Sequence, residues 1–476
     1  MKIPALIKVL IFGAVLIMAA ATVMMIGMDK DTADVTVSSR AESAYEKDSS
    51  SEDESAVTEE ASEISLKQKA LAQLDNTSGI LPQTGLENEL RAADEDYYEL
   101  YKIFRREGAY PVYSGAGISY YGDTKEAYDK LLEDLESAED FIFLEYFIIA
   151  EGEMWGGIED ILERKAQQGV TVRVIGDGLY ASTNLVSSTR KRLADKGIDV
   201  RVFAPFTSKG QQKSNIRDHR KIAVIDGNIA YTGGANLADE YININSPYGY
   251  WKDNFIRLEG AAANSFTVMF LQVWNIYGED EEPAELIREH DDVQGEGYII
   301  PFSDCPFDDV RAGRKMYIQL FESAREYVHL AVPYFIPDSE LLETVRECAE
   351  RGVKIEIVLP HMGDSVLVQN AVRSYYKELI DMGVRVYEYT PGFCHEKICI
   401  TDGRLCFVGS VNVDSRSFLY DYECGVCLLG CEEIKKVDAD FNEVLSQCEE
   451  VTEDNIEDYS VDGINSAILR GLSGHL

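Results

Sequence analysis

The sequence predicts an α/β fold made of two duplicated halves, each a mixed or largely parallel sheet with helices on both faces. A pseudo-two-fold axis relates the halves, and an N-terminal transmembrane helix precedes them. Three observations carry this reading. One phrase is written twice, HRKIAVIDGNIAYTGGAN from His219 and HEKICITDGRLCFVGSVN from His395, and both fit H-x-K-x4-D-x6-G-x2-N. The stretches before each copy alternate short apolar runs with helical periodicity in the same order, the mark of βα units. Finally, the 20 residues from Val9 to Met28 carry no charge.

Taken in chain order, residues 1–30 come first as the anchor. As a helix the uncharged run spans about 30 Å, the thickness of a bilayer's hydrocarbon core. Lys2 and Lys8 precede it, and Asp29, Lys30 and Asp31 follow. The positive-inside rule then predicts a single-pass cell-membrane protein with a cytoplasmic N-tail and its catalytic part outside. A cleaved signal peptide is the alternative, but its apolar core is shorter and ends in small residues. Residues 31–96 are rich in Ser, Glu and Asp, with SSSEDESAVTEE at 49–60. Such a composition does not offset the entropy of ordering, so it predicts a solvated tether with a short helix near 63–74.

The globular pattern starts at residue 97, with a first half over 97–290 and a second over 291–476. FIFLEYFII (141–149), VTVRVI (170–175) and IDVRVF (198–203) read as strands of the first half. VHLAVPYFI (328–336), VKIEIVL (353–359) and VRVYEY (384–389) take the same order in the second. Residue-level echoes accompany them: LESAEDF (135–141) with FESAREY (321–327), and AQQGVTVRV (166–174) with AERGVKIEI (349–357). Two sheets related by a pseudo-two-fold axis bring equivalent strand ends, and so both motif histidines, to one central seam.

Composition narrows the function. A net charge of −39, from 84 acidic and 45 basic residues, excludes a general nucleic-acid binder, which draws its affinity from a basic face. An anionic substrate must then be attracted by a local basic pocket. The stretch Lys209, Lys213, Arg217, Arg220 and Lys221, with Arg190, Lys191 and Arg192 upstream, is the candidate mouth. Nine cysteines form no disulfide framework, and the C-x-x-C of Cys424 and Cys427, with Cys431 beyond, lacks a second ligand pair; core packing is the reading and no metal is expected.

On a strand, side chains two apart share a face, so His219 projects with Lys221 and His395 with Lys397. Two lysines supply fixed positive charge, and Asn236 and Asn412 supply amides, which together make a clamp for a phosphoryl group. Two histidines allow one to attack phosphorus while the other moves the alcohol proton, without a cofactor. Asp226 and Asp402 belong to the same motif copies and enter the candidate catalytic set. Each also precedes a glycine in a D-G turn, which suits them to holding strand geometry. A lone H-x-K is ordinarily a solvated strand end; five positions matched twice argue otherwise.

The two motifs resemble the HKD motifs of the phospholipase D superfamily, and residues from about 110 to 430 resemble bacterial cardiolipin synthases. FIFLEYFIIAEGEMW, RDHRKIAVIDG, TGGANLADEYIN, GYWKDN, PYFIPDSELL and SRSFLYDYE carry the likeness. It implies transfer of a phosphatidyl group between two phosphatidylglycerol molecules at a lipid bilayer, with glycerol released. A hydrolase making phosphatidic acid and a non-catalytic lipid-binding scaffold are the alternatives. It further implies His219 as nucleophile, His395 as acid and base, and a carboxylate downstream of each motif orienting a histidine: Glu423 after the second and Asp253 after the first. Tyr248, Tyr250 and Trp251 are candidates for the bilayer interface or for the core. Two positions depart from the family pattern: Glu396 inside the second motif, expected on the face away from His395, and Asp421 where Asn is common.

Overall fold

The computed structural model describes residues 52–81, 84–105, 110–114, 117–205, 215–278, 282–290, 296–459 and 470. The apolar run 9–28, and Lys209 and Lys213 of the basic stretch, lie outside them. No helix among the described residues is long and apolar enough to cross a membrane. Residues 57–476 form one compact unit.

Among the described residues there are nineteen strands in chain order. They are β1 (Tyr113–Ser114), β2 (Gly117–Tyr121), β3 (Phe141–Tyr146), β4 (Thr171–Asp177), β5 (Ile198–Phe203), β6 (Arg217–Asp218), β7 (Lys221–Ile225), β8 (Ile229–Gly233), β9 (Tyr250–Lys252) and β10 (Phe255–Glu259). Then come β11 (Tyr298–Asp304), β12 (Tyr327–Ala331), β13 (Lys354–Pro360), β14 (Arg385–Tyr389), β15 (Gly392–Cys394), β16 (Ile398–Thr401), β17 (Leu405–Gly409), β18 (Asp421–Leu429) and β19 (Cys448–Val451). The first sheet runs β2-β10-β8-β7-β3-β4-β5, and the second contains β11-β18-β17-β16-β12-β13-β14, with β1 and β19 added at its edges.

The two orders match strand for strand, but the sheets are mixed rather than largely parallel. Within these two runs of strands, only β3-β4-β5 and β12-β13-β14 are parallel. The motif itself explains the difference. The D-G turns at Asp226 and Asp402, both at positive φ, close antiparallel hairpins that a parallel crossover does not allow.

Central strands such as FIFLEY and KIAVI are buried along their whole length, because helices cover both faces. The helix Ala263–Trp274 (ANSFTVMFLQVW) has every residue buried and touches strands of both sheets. One continuous core therefore includes Phe143, Val224 and Phe270 from the first half and Phe302, Leu330 and Phe407 from the second.

Part of the stretch expected as a solvated tether is helical, over Glu52–Thr77 and Glu87–Ala93. Leu66, Ala70 and Leu90 reach the core, and Thr77 Oγ1 accepts from Gln272 Nε2 at 2.8 Å. Sparse apolar residues at helical spacing suffice when a neighbouring surface receives them, which an average over composition conceals. All nine cysteines are free and eight are buried; Cys424 and Cys427 lie within β18.

Asp226 and Asp402 do not face the histidines. The Asp226 carboxylate accepts the backbone N–H groups of Glu139, Asp140 and Phe141 at 2.7–2.8 Å. Asp402 accepts those of Arg325, Glu326 and Tyr327 at 2.8–2.9 Å. Each ties its hairpin to the start of β3 or β12, so both leave the candidate catalytic set as structural anchors. Asp402→Ala is expected to lower the unfolding free energy by about 2–4 kcal/mol, since three hydrogen bonds lose their charged acceptor. Chemical denaturation measures that loss, and kcat of the folded fraction is expected to stay within about threefold, because no reacting atom is touched.

Candidate active site

The site is assembled by two short parallel strand pairs that cross between the halves. In one, β6 pairs with β18, with Asp218 opposite Tyr422. In the other, β15 pairs with β9, with Cys394 opposite Lys252. The next residue on each of the four strands is a candidate site residue. His219 donates its backbone N–H to the Tyr422 carbonyl at 3.0 Å, and His395 donates to the Lys252 carbonyl at 2.7 Å. Continuing the register sets His219 beside Glu423 and His395 beside Asp253.

The side chains meet accordingly. His219 Nδ1 lies 3.0 and 3.1 Å from the two Glu423 oxygens, and His395 Nδ1 lies 2.7 Å from Asp253 Oδ2. Each histidine is thus held by a carboxylate of the opposite half. The carboxylate after a motif orients the histidine of the other motif, a crossing that the linear order conceals. Glu423 also accepts from the hydroxyls of Ser410 and Ser417, two residues the sequence reading missed. Ser410 occupies the second position of a G-S-V-N segment whose first-half counterpart is G-G-A-N, so the duplicated pattern gave no signal there.

Both histidines line one cavity of about 520 Å³, together with Asn236, Asn412, Tyr241, Trp251, Tyr334 and Arg416. Asn236 is committed to the protein: its Oδ1 accepts from the Ile148 N–H at 3.1 Å and its Nδ2 donates to the Tyr241 hydroxyl at 2.8 Å. Asn412 keeps a buried side-chain oxygen without a partner. Lys221 and Lys397 are fully buried beneath their histidines. Lys221 donates to the backbone carbonyl of His219. Lys397 donates to that of His395 at 2.6 Å and also sits 3.0 Å from its Nε2.

The basic mouth expected from the sequence is not what the described residues show. Arg217 is buried against Asp177 at 3.1 Å, and Arg220 is buried against Glu145 and Asp218. Arg192 pairs with Glu151 and Glu159. Strand alternation sends Arg220 to the face opposite His219 and Lys221, where it meets β3. Glu396 likewise faces away from His395 and pairs with Lys252 at 2.9 Å. The cavity wall carries Glu240, Asp364, Asp414 and Asp421 besides Arg416, which lies 3.2 Å from Asp421. Trp251 is a core residue packed on Phe393 and His395, whereas Tyr250 is exposed.

Burial governs the protonation of the cluster. It holds His219 well below the usual imidazole value, with Lys221 and Lys397 adding to the effect. It lowers His395 to about 4, Lys397 adding and Asp253 opposing. Lys397 comes down to about 7 by burial, and Lys221 to about 8. Burial raises Glu423 to about 8 against the pull of Lys221. Neutral histidines with Nδ1–H directed at carboxylates leave Nε2 as a lone-pair donor, the form required for attack on phosphorus.

The signs give a pH dependence. The lysines are charged below their lowered values and lose charge as pH rises through about 7 to about 8, while Glu423 gains negative charge over the same range. Both changes weaken anion binding. Sulfate, whose charge is constant across this range, is expected to bind roughly tenfold or more weakly at pH 9 than at pH 6.5, measured by titration calorimetry.

Comparison with known proteins agrees with this geometry. The chain matches the family described as cardiolipin synthase, PLD-like domain, over residues 131–274 and 317–445. It is 40% identical over 370 residues to an uncharacterised protein of Streptococcus mutans, covering 78% of this chain and 80% of that one. It is 32% identical over 358 residues to a cardiolipin synthase of Alkalihalophilus pseudofirmus, covering 75% and 71% of the two chains. A cardiolipin synthase of Oceanobacillus iheyensis is 31% identical over 398 residues, covering 79% and 81%. Among solved structures, phosphatidylserine synthase of Haemophilus influenzae shares the fold, with a TM-score of 0.60 at 14% identity over 79% of this chain and 96% of that one. With each matched segment containing a motif whose histidine enters the shared cavity, the chain belongs to the cardiolipin synthase family of phospholipase D-like enzymes.

Proposed function

We propose that this enzyme is a membrane-anchored cardiolipin synthase, a phosphatidyltransferase acting on two molecules of phosphatidylglycerol. One observation carries the reading: two histidines, from two copies of one motif, line a single cavity, each backed by a carboxylate and a buried lysine. His219 Nε2 attacks the phosphorus of the first lipid, forming a P–N bond. The P–O bond to the head-group glycerol breaks, and His395 donates the proton that the leaving oxygen takes. A glycerol hydroxyl of the second phosphatidylglycerol then gives its proton to His395 and attacks the same phosphorus. The P–N bond breaks, leaving cardiolipin and a regenerated site.

The assignment of roles is supported by Lys397, which caps His395 Nε2 at 3.0 Å and favours proton handling there. Lys221 makes no matching contact with the His219 ring. An incoming phosphodiester anion raises the proton affinity of His395, so the acid forms when substrate is present. Lys221 and Lys397, with Asn412, stabilise charge on the phosphoryl oxygens. The matching strand orders support residues 97–290 and 291–476 as two halves on a pseudo-two-fold axis. The anchor and an outward-facing catalytic part rest on the apolar run 9–28 and its flanking lysines.

Full-length protein in phosphatidylglycerol liposomes, with products read by mass spectrometry, tests the reading. Cardiolipin and glycerol are expected in equal amounts, with turnover lowered on the order of 10³-fold or more by His219→Ala. Phosphatidic acid in place of cardiolipin would make the enzyme a hydrolase. Absence of turnover would point to a lipid-binding scaffold.

A further inference from the structure

We propose that two apolar loops at the cavity mouth, Leu179–Val186 and Met362–Leu367, insert into the bilayer and hold the site over its lipid. The inference rests on the reading that the substrate is a bilayer phospholipid, and it assigns the surface that meets the bilayer.

Nine large hydrophobic side chains are exposed among the described residues, and six of them fall in these two loops. Val366 is 74% exposed, Met362 44% and Leu179 40%, with Leu367, Val186 and Tyr180 close behind. The loops are equivalents: one leaves the end of β4 and the other the end of β13, the middle strands of the two parallel trios. Both border the cavity, the first through Tyr180 and Asn184, the second through Asp364, Ser365 and Val368.

The fold leaves these side chains partly uncovered: Tyr180 packs edge-on against Phe147 at 5.0 Å, whereas Val366 is the most exposed of the six. Ser365 caps the helix Val366–Arg373, which buries Ala371 and Val372 and leaves Val366 and Leu367 in water. An apolar cluster concentrated at one opening of so acidic a chain marks an interaction surface. The occupant follows from the depth of the chemistry. His219 sits inside the cavity, whereas the phosphate of a bilayer lipid sits at head-group level. Drawing a two-chain lipid out would expose all its methylenes to water, so the mouth must come to the bilayer.

Attraction is then apolar, not electrostatic. Glu240, Asp364, Asp414 and Asp421 at the cavity are repelled by an anionic surface. Added salt, which weakens docking through basic patches, strengthens this mode.

The test uses full-length protein in phosphatidylglycerol vesicles. The native Trp155, Trp251 and Trp274 are buried, so a new surface tryptophan reports its own environment. Val366→Trp and Leu179→Trp are expected to be quenched by lipids brominated in the acyl chain. Glu350→Trp, near the opposite end of β13, is expected not to be. Failure of quenching at both loop positions overturns the proposal. A second measurement uses Leu179→Ser combined with Val366→Ser and Leu367→Ser. Turnover of vesicular phosphatidylglycerol is expected to fall about tenfold or more, while turnover of a short-chain form below its micelle concentration is unchanged. Equal loss on both substrates would overturn the docking role. Quenching at Val366→Trp and Leu179→Trp in a protein that turns over no lipid would uphold the surface and sink the synthase reading.

Discussion

Everything in the site depends on two pieces of strand pairing, β6 with β18 and β15 with β9. Each joins one half to the other, and each ends where a histidine and the opposing carboxylate are the next residues. Backbone hydrogen bonds, not side-chain attraction, therefore decide which carboxylate meets which histidine. A slip of one residue would turn the histidine to the far face of its strand. The pairing is reinforced away from the cavity. Asp177 accepts the backbone N–H of Asp218 at 2.9 Å while holding Arg217 at 3.1 Å, so the end of β4 is fastened to β6. Neither half holds both members of a cavity pair, His219 with Glu423 or His395 with Asp253, which is a physical reason for the duplicated chain to stay joined through one core.

Buried charge is the second constraint. The middle residue of each H-x-K points away from the cavity, and the two copies solve the same problem with opposite signs. Arg220 is neutralised by Glu145 and Asp218, whereas Glu396 is neutralised by Lys252. Lys252 also reaches Asp440 at 2.8 Å. These pairs lie beneath the motif strands and hold them against the neighbouring elements. Removing one partner of such a pair leaves an uncompensated buried charge, so the pairs are far less replaceable than surface ion pairs. On the cavity side the lysines find only backbone carbonyls, an imidazole and nearby carboxylates. Burial lowers their proton affinity against the pull of those carboxylates, and an arriving phosphate is the partner that restores it.

Much of this was legible in the sequence. The repeated motif located both histidines, both lysines and the paired hairpins, and the echo of LESAEDF in FESAREY marked the segments whose N–H groups Asp226 and Asp402 accept. Strand order in the two halves followed from the apolar runs. Other features were hidden for physical reasons. The crossing of carboxylates depends on parallel pairing between segments 204 residues apart in one case and 142 in the other, which leaves no local period. The fate of Arg217 and Arg220 depended on strand facing, not on composition: a run that counts as basic becomes internal wiring once alternate side chains turn inward. The sequence predicts a short helix near 63–74, but its extent over Glu52–Thr77 and the burial of Leu66 and Ala70 were masked by the acidic neighbours.

The arrangement also resolves a conflict between an acidic protein and an anionic substrate. Long-range attraction is absent, because the chain is strongly negative and the cavity wall carries four carboxylates. Arg416 on the wall is already paired with Asp421, so the positive charge left for phosphorus is on Lys221 and Lys397 at the base of the histidines, where burial removes the screening water that would weaken it. A phosphate is therefore stabilised at one depth and poorly anywhere above it. The carboxylates higher in the wall accept hydrogen bonds but repel a second anion, which suits the hydroxyl-bearing part of a head group and not its phosphate. Selectivity in such a site comes from the order in which chemistries are met along the cavity: apolar at the rim, acceptor groups on the wall, cations at the floor.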